Sequence, residues 1–351
     1  MKELIIVSYP TGIPDIKPIN IQIEFDSEIV KEYIMLEFEN YILNKSSKNL
    51  IIHANYRIIT GKFECVDFNI PENSRFLEDI CDINKKIYYH KFQGVNYYYG
   101  IYNQGDINGI YSVEKNHVIN WMKTPEKCFN IIIGVINYLI SIILWKKHSI
   151  LRVHASSFSY KGKIFLIFGH IKSGKSILTL SLCKLNKNLG YKYNSDDTTF
   201  IYERNLHFYV LPFLNPIKYT LNKPDDIKEL IKQDSLYQYI NSNGIKRYLS
   251  RISQLEIEMN RKSLELGGIL IVNRQNINES SIEKINSIDN NSYNKIILDA
   301  ILGNELLNIN YLHLDNKNLK KKQIYNKIIN KYPLFIFKFG NSLNDLKKIN
   351  L

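Results

Sequence analysis

The stretch Lys163-Ile164-Phe165-Leu166-Ile167-Phe168-Gly169-His170-Ile171-Lys172-Ser173-Gly174-Lys175-Ser176 decides the fold. From Gly169 onward it fits GxxxxGK[ST], the pattern of a phosphate-binding loop. Lys163 to Phe168 predicts a buried strand, and Leu178, Leu182 and Leu185 recur at helical spacing after the loop. Strand, loop and helix in that order form the setting in which such a loop works. A helix start leaves its first amides unpaired, and the helix dipole adds partial positive charge there, so a nucleotide phosphate fits. Gly169, His170, Ile171, Lys172, Ser173, Gly174, Lys175, Ser176 and Ile177 are the candidate nucleotide contacts. Lys175 is placed to reach the β/γ-phosphates, and Ser176 to offer its hydroxyl to a magnesium ion, which also needs one or two carboxylates.

Those carboxylates follow about one helix later, in Asn194-Ser195-Asp196-Asp197-Thr198-Thr199, past Gly190, which is read as the helix stop. The β-prone residues around the acidic pair predict a strand end beside the loop, where one acid meets the metal and the other a substrate hydroxyl. Upstream, Leu151 to Lys163 reads as a strand containing His154-Ala155-Ser156, a Lys161-Gly162 turn, and the strand that feeds the loop.

A His-Ala-Ser strand, a hairpin, a phosphate loop, a helix and a Ser-Asp-Asp turn in this order resemble the kinase domain of HPr kinase/phosphorylase, an α/β P-loop fold of the PEP-carboxykinase-like type. The resemblance is closer to HPr-kinase-related proteins of peptide-modification clusters, including kinases of lasso-peptide precursors. It covers roughly residues 126 to 351. Leu211 to Lys218 resembles the family's Pro-rich stretch, Gly268 to Val272 its next buried strand, and Tyr332 to Gly340 its final strand.

The resemblance implies that Gly169, Gly174 and Lys175 hold phosphates, that Ser176 and Asp197 attend magnesium, and that Asp196 is the catalytic base. It places His154 near the phosphates; read from the residues alone, His154 is equally a strand histidine satisfied by a backbone carbonyl. The implied reaction is transfer of the γ-phosphoryl group of ATP to a hydroxyl, most simply a serine of a ribosomally made peptide or a protein. The alternative is a nucleotide-binding regulator or partner that transfers nothing. Two departures stand out. Lys172 replaces a glycine usual in the family, and His170 a small residue or proline. The Glu-Ile-Arg-Gly segment of HPr kinases proper is missing, Leu264 to Gly268 being a late and superficial echo, which implies kinase without phosphorylase activity and a substrate other than HPr.

The chain has 351 residues, 45% of them hydrophobic, enough for two domains. Its net charge of +12 favours an acidic partner such as a nucleotide. The basic residues are spread along the whole length, and Lys320-Lys321-Lys322 reads as solvated helix surface, so no nucleic-acid partner is expected. Cys65, Cys81, Cys128 and Cys183 lack metal-ligand spacing, which fits a reduced, cytoplasmic protein. Met1 to Val7 does not read as a signal peptide. Cys128 to Trp145 is long and apolar, but Asn130, Gly134, Asn137 and Ser141 form a small polar stripe, so a helix buried between domains is expected rather than a membrane span.

Residues 1–125 show short β-prone runs, Ile21–Phe25, Leu50–His53, Tyr56–Ile59, Ile87–His90 and Asn96–Tyr102, separated by turns such as Gln104–Asp106. They predict a mainly β domain, read either as a docking site for the acceptor or as a structural cap. Its His53, His90 and His117 are isolated, so metal binding there is not expected. Asn276 to Asn294 reads as a loop or insertion. Oligomeric state stays open, a homo-oligomer included.

Overall fold

The computed structural model describes residues 3–13, 16–43, 56–61, 70–80, 85–102, 107–112, 117–122, 129–170, 173–219, 236–240, 246–274, 280–285, 291–302, 315–339 and 346. The chain forms two compact units, Met1–Ile143 with Gln238–Arg247, and Leu144–Tyr237 with Tyr248–Leu351.

In the first unit, β1 (Glu3–Tyr9), β2 (Ile19–Phe25), α1 (Glu28–Glu37), β3 (Tyr56–Gly61), β4 (Arg75–Ile80), β5 (Lys85–Phe92), β6 (Val95–Tyr102), β7 (Ile107–Ser112) and β8 (His117–Met122) follow in turn. The described strands form one sheet in the order β1-β2-β3-β8-β7-β6-β5-β4, parallel only at β2-β3 and β3-β8. Ile19, Ile21, Ile23 and Phe25 are buried and alternate with half-buried residues, the period of a strand with one covered face. Val30 and Ile34 of α1 are buried as well. The β5–β6 turn is Gln93-Gly94, both with positive φ (48° and 78°), the two-residue geometry whose twist suits a hairpin. Strands therefore stand at four of the β-prone runs; Leu50–His53 and the Gln104–Asp106 turn lie outside the described residues.

Helix α2 (Phe129–His148) follows. Its Asn137 and Ser141 are buried; Ser141 Oγ donates to the Asn137 backbone carbonyl at 2.6 Å, while the Asn137 side-chain oxygen has no hydrogen-bond partner. Among the described residues, no helix is long and apolar enough to cross a membrane. The compact units divide after Ile143, inside α2, rather than near residue 125. The helix stays apolar as far as Trp145, which belongs to the second unit's core, and closes on Lys146, Lys147 and His148.

The second unit contains β9 (Leu151–Val153), β10 (Ser156–Tyr160), β11 (Lys163–Phe168), α3 (Lys175–Leu185), β12 (Lys192–Ser195), β13 (Thr199–Arg204), β14 (His207–Leu211) and β15 (Ile217–Tyr219). Beyond these come β16 (Leu236–Ile240) and β17 (Lys246–Ser250), which lie partly in the first unit, then β18 (Leu264–Arg274), β19 (Ser281–Ile285), α4 (Asn291–Leu302), α5 (Asp315–Lys331) and β20 (Leu334–Phe339). The main sheet is mixed. It runs β12-β10-β11-β18 and forks at β18, whose first residues pair with β14 and whose later ones pair with β20. One branch continues to β13 and β9, the other to β19.

Lys163–Phe168 lacks strand alternation because both its faces are covered. Ile164, Leu166 and Phe168 join Leu151, Val153, Ile269 and Ile271 in a core closed by Ile297 and Ile301 of α4 and Ile324 and Ile328 of α5. The intervening Phe165 stacks on Phe158, and Phe158 on Tyr191, at centroid spacings of 5.5 Å each.

The topology positions the site. β11, β18 and β20 are parallel, so the loop after β11 emerges at their carboxyl edge, where open α/β sheets bind ligands. β10 runs antiparallel to β11 and starts at that edge, with Ser156 opposite Ile167. β12 runs antiparallel to β10 and ends there, with Ser195 opposite Ser157. Residues far apart in sequence thus meet at one rim.

Leu264 to Gly268 forms the start of β18; its glycines fit because a Cβ at Gly267 would lie 2.7 Å from the Lys163 Cβ, and one at Gly268 3.1 Å from the Phe165 ring. Three local expectations need correction. α3 ends at Leu185, and Gly190 (φ 84°) caps instead a 3₁₀ turn over Lys187–Leu189. The described part of Asn276–Asn294 is not loop: it holds the edge strand β19, paired with β20, and the first turn of α4. Finally, Lys321 is buried rather than solvated, while Lys320 donates to Ser149 Oγ and lies over the Trp145 ring.

Candidate functional site

The loop turns into α3 through Gly174, whose φ of 99° is a left-handed conformation that glycine adopts without strain. Before it, Ser173 N–H donates to the His170 carbonyl at 3.1 Å, closing a tight turn. Gly169 is required for a different reason, close approach. A Cβ there would lie 2.4 Å from Ser173 Oγ and 3.2 Å from the Val272 carbonyl oxygen. Ile171 and Lys172 lie outside the described residues.

No side chain caps the amino end of α3, and no acidic residue stands in its first turn, so its outward amides and dipole remain available to an anion. Lys175 is 6% exposed, and its ammonium donates to the carbonyls of Gly169 at 3.0 Å and His170 at 3.2 Å. Burial lowers its pKa, while Asp197 and Asp196 act in the opposite direction. Ser176 is half-buried, Ile177 buried, both in the first turn of α3.

Across the rim, β12 ends at Ser195 and the chain turns through Asp196 and Asp197. Asp196 is 1% exposed. Ser156 Oγ donates to its Oδ1 at 2.6 Å, whereas its buried Oδ2 has no hydrogen-bond partner. Burial first, then the neighbouring Asp197 charge, raise its pKa to about 7, against the hydroxyls of Ser156 and Ser176 and the charge of Lys175. Asp197 is half-buried with φ 57°, a strained backbone for a residue with a side chain. Thr198 N–H closes the turn by donating to the Asp196 carbonyl at 2.6 Å.

His154 Nδ1 lies 3.0 Å from the Asp197 carbonyl. A carbonyl only accepts, so Nδ1 carries the proton and, in the neutral ring, Nε2 is the basic nitrogen. Burial lowers the His154 pKa, with the Asp197 charge opposing and the Lys175 and Arg152 charges adding to the shift. Of the two readings of His154, the structure shows the backbone-carbonyl one, and the partner carbonyl lies in the acidic turn.

The structure brings His154, Gly169, His170, Ser173 to Ile177, Asp196 and Asp197 to one rim. The sequence assigns no role to three further residues there, although Ser156 belongs to the His-Ala-Ser strand and Asn215 to the Leu211–Lys218 stretch. Ser156 stands two positions after His154, Asn215 bonds the backbone of Asp196, and Arg152 donates to Thr198 Oγ1 at 3.0 Å. Behind the turn lies a buried polar layer. Asn194 Nδ2 donates to Ser157 Oγ at 2.8 Å, Thr199 Oγ1 to the Ala155 carbonyl at 2.8 Å, and Asn260 Nδ2 to Asn194 Oδ1 at 2.7 Å. Such a satisfied network fixes the ends of β10 and β12 in a single arrangement.

Among the described residues, no three His, Cys, Asp or Glu side chains gather as a metal cage. Two adjacent carboxylates, one with an unpartnered buried oxygen, and a serine hydroxyl nearby fit a magnesium ion that takes its other ligands from phosphates and water. A separate open cleft of about 490 Å³, lined by His148, Tyr202, Glu203, Lys320 and Lys327 among others, shares no residue with the rim. Its Lys327 is paired with Glu203.

No protein-family model matches the chain, and no curated protein matches it. Among solved structures it is similar to the Hpr(Ser) kinase/phosphatase from Coxiella burnetii, at 16% identity and a TM-score of 0.21, over 38% of this chain and 77% of that one. The likeness is weak, and the reading of the site rests on its own geometry.

Proposed function

We propose that the chain is an ATP-dependent kinase that transfers a γ-phosphoryl group to a hydroxyl, most simply a serine of a ribosomally made peptide or a protein. The observation that carries this reading is the unpartnered Oδ2 of buried Asp196, held beside the amino end of α3 and Lys175. A phosphate loop alone needs no such acid. A carboxylate with a pKa near neutrality and one vacant lone-pair position suits a group that takes a proton from an acceptor hydroxyl.

In this reading the α3 amides and Lys175 hold the β/γ-phosphates, and Ser176 and Asp197 would hold magnesium, which supplies neutralisation of phosphate charge when bound. Asp196 Oδ2 accepts the hydroxyl proton as the acceptor oxygen bonds to the γ-phosphorus and the bond to the bridging oxygen breaks, releasing ADP. Ser156 keeps Oδ1 occupied, so the proton goes to Oδ2. His154, its Nδ1–H donating to the Asp197 carbonyl, orients the turn and keeps Nε2 free to accept from a water.

The second reading, a nucleotide-binding regulator without transfer, is favoured by one observation: Asp196 is 1% exposed, so an acceptor reaches it only after a rearrangement. For the first unit, the proposal is acceptor docking by strand addition at β4, since the outer edge of β1 is already bonded to Tyr41–Leu43. The test is incubation of the full chain with γ-labelled ATP, magnesium and a serine-containing peptide library. Label on a serine that disappears with Asp196→Asn is the expected result. Tight MgATP binding with neither labelling nor hydrolysis would establish the regulator instead.

A further inference from the structure

We propose that Asn215 is a positioning residue that sets the acidic turn for metal-dependent nucleotide binding, an inference that rests on the phosphate-site reading above. Its side-chain amide makes a reciprocal pair of bonds to one backbone residue. Asp196 N–H donates to Asn215 Oδ1 at 3.2 Å, and Asn215 Nδ2 donates to the Asp196 carbonyl at 2.7 Å. This is the bonding a neighbouring strand would give, supplied by a side chain at the point where β12 has ended.

Asn215 is itself held from behind. It is buried, its carbonyl accepts from Tyr193 Oη at 2.9 Å, and its N–H donates to the Phe213 carbonyl at 2.9 Å. Phe213 N–H in turn donates to the Asn194 carbonyl at 3.0 Å. The clamp is therefore anchored on β12, the strand that delivers the acids.

The turn needs such a clamp because Asp197 sits at φ 57°. A left-handed residue with a side chain persists only where its surroundings over-determine it. Ser156 grips the Asp196 carboxylate, but a bond to a side chain does not set a peptide plane. Thr198 N–H contacts only the carbonyl side of that plane, and His154 only the next one. Asn215 alone among these contacts both the N–H and the carbonyl of Asp196. Without it the sheet has every strand it needs, while the Asp197 carboxylate loses its bearing relative to Ser176.

The test measures ATP affinity of the full chain by calorimetry, once with magnesium and once with a chelator, for wild type, Asn215→Ala and Asn215→Ser. The magnesium-dependent gain in affinity is expected to shrink about tenfold or more in the variants, as when an orienting partner of a metal ligand is lost. The affinity without metal, set by the loop, stays at the wild-type value. A wild-type chain with no magnesium-dependent gain overturns the site reading itself. A wild-type gain that both variants keep, or a loss of both affinities in equal proportion, overturns the role of Asn215. If the alanine variant does not fold, the serine variant decides by the same ratio.

Discussion

Ser156 Oγ donates to one oxygen of the Asp196 carboxylate at 2.6 Å and leaves the other without a hydrogen-bond partner, while the Ser176 hydroxyl acts with that of Ser156 to lower the carboxyl's pKa. Removing the Ser156 hydroxyl takes away the 2.6 Å bond that sets the two oxygens apart. Ser156→Ala is expected to cost about 1–3 kcal/mol of stability, the usual penalty for a buried acceptor left unsatisfied. Denaturant unfolding without nucleotide measures this. A change within a few tenths of a kcal/mol would mean that the bond contributes nothing net.

Asp196 gives the free protein a pH signature. Its folded pKa is raised from 3.8 to about 7, so its protonated form is favoured by folding. Stability from this group is fully present below pH 4 and is lost as pH rises through about 7, because the unfolded chain gives up the proton before the folded one does. Asp196→Asn, which cannot titrate, should flatten that slope. Thermal unfolding between pH 4 and 8 without metal or nucleotide compares the two. Parallel curves would refute the assignment.

Gly169→Ala should weaken nucleotide binding, because its methyl meets Ser173 Oγ, Ser173 Cβ and the Val272 carbonyl. The first two contacts belong to a replaceable side chain. Gly169→Ala with Ser173→Gly should therefore recover part of the affinity, the remainder reflecting the backbone contact with Val272. Equal affinities for the single and double variants would show that β18, rather than the loop turn, limits the space.

At Asp197 the backbone and the carboxylate can be separated. Asp197→Asn keeps a residue that tolerates left-handed φ and loses the charge, so it should lower the magnesium-dependent part of ATP affinity with little loss of stability. Asp197→Val should cost about 1–2 kcal/mol more than Asn, since a β-branched residue is poorly accommodated at φ 57°. Paired calorimetry and denaturant unfolding on the two variants check this. Equal stability would mean that the turn relaxes at no cost.

The strand, loop and helix around Gly169 to Ser176 are legible in the sequence because phosphate binding dictates residue types at fixed offsets, and because a strand covered on both faces is a continuous apolar run. The acidic pair is legible by its distance from the loop. Asn215 is not: its partner lies 19 positions away, and the two are brought together by tertiary contacts, the pairing of Ser195 with Phe213 and the bond from Tyr193 Oη to the Asn215 carbonyl. β19 escapes notice for another reason. Ser281–Ile285 is a polar edge strand whose one neighbour, β20, supplies the stabilisation its composition lacks. The start of β18 is hidden by Gly267 and Gly268, residues a strand disfavours unless aromatic rings such as Phe165 crowd it. In each case the decisive partner is brought by tertiary structure.

The Lys175 ammonium donates to the carbonyls of Gly169 and His170. In the proposed reading, nucleotide binding is an exchange of partners for that ammonium, neutral oxygens given up for charged ones. Lys175→Ala consequently deletes something from both sides of the equilibrium. The affinity it removes in calorimetry measures only the difference between the two sets of bonds, and the empty loop, deprived of its internal tie, should exchange its amide protons faster than wild type.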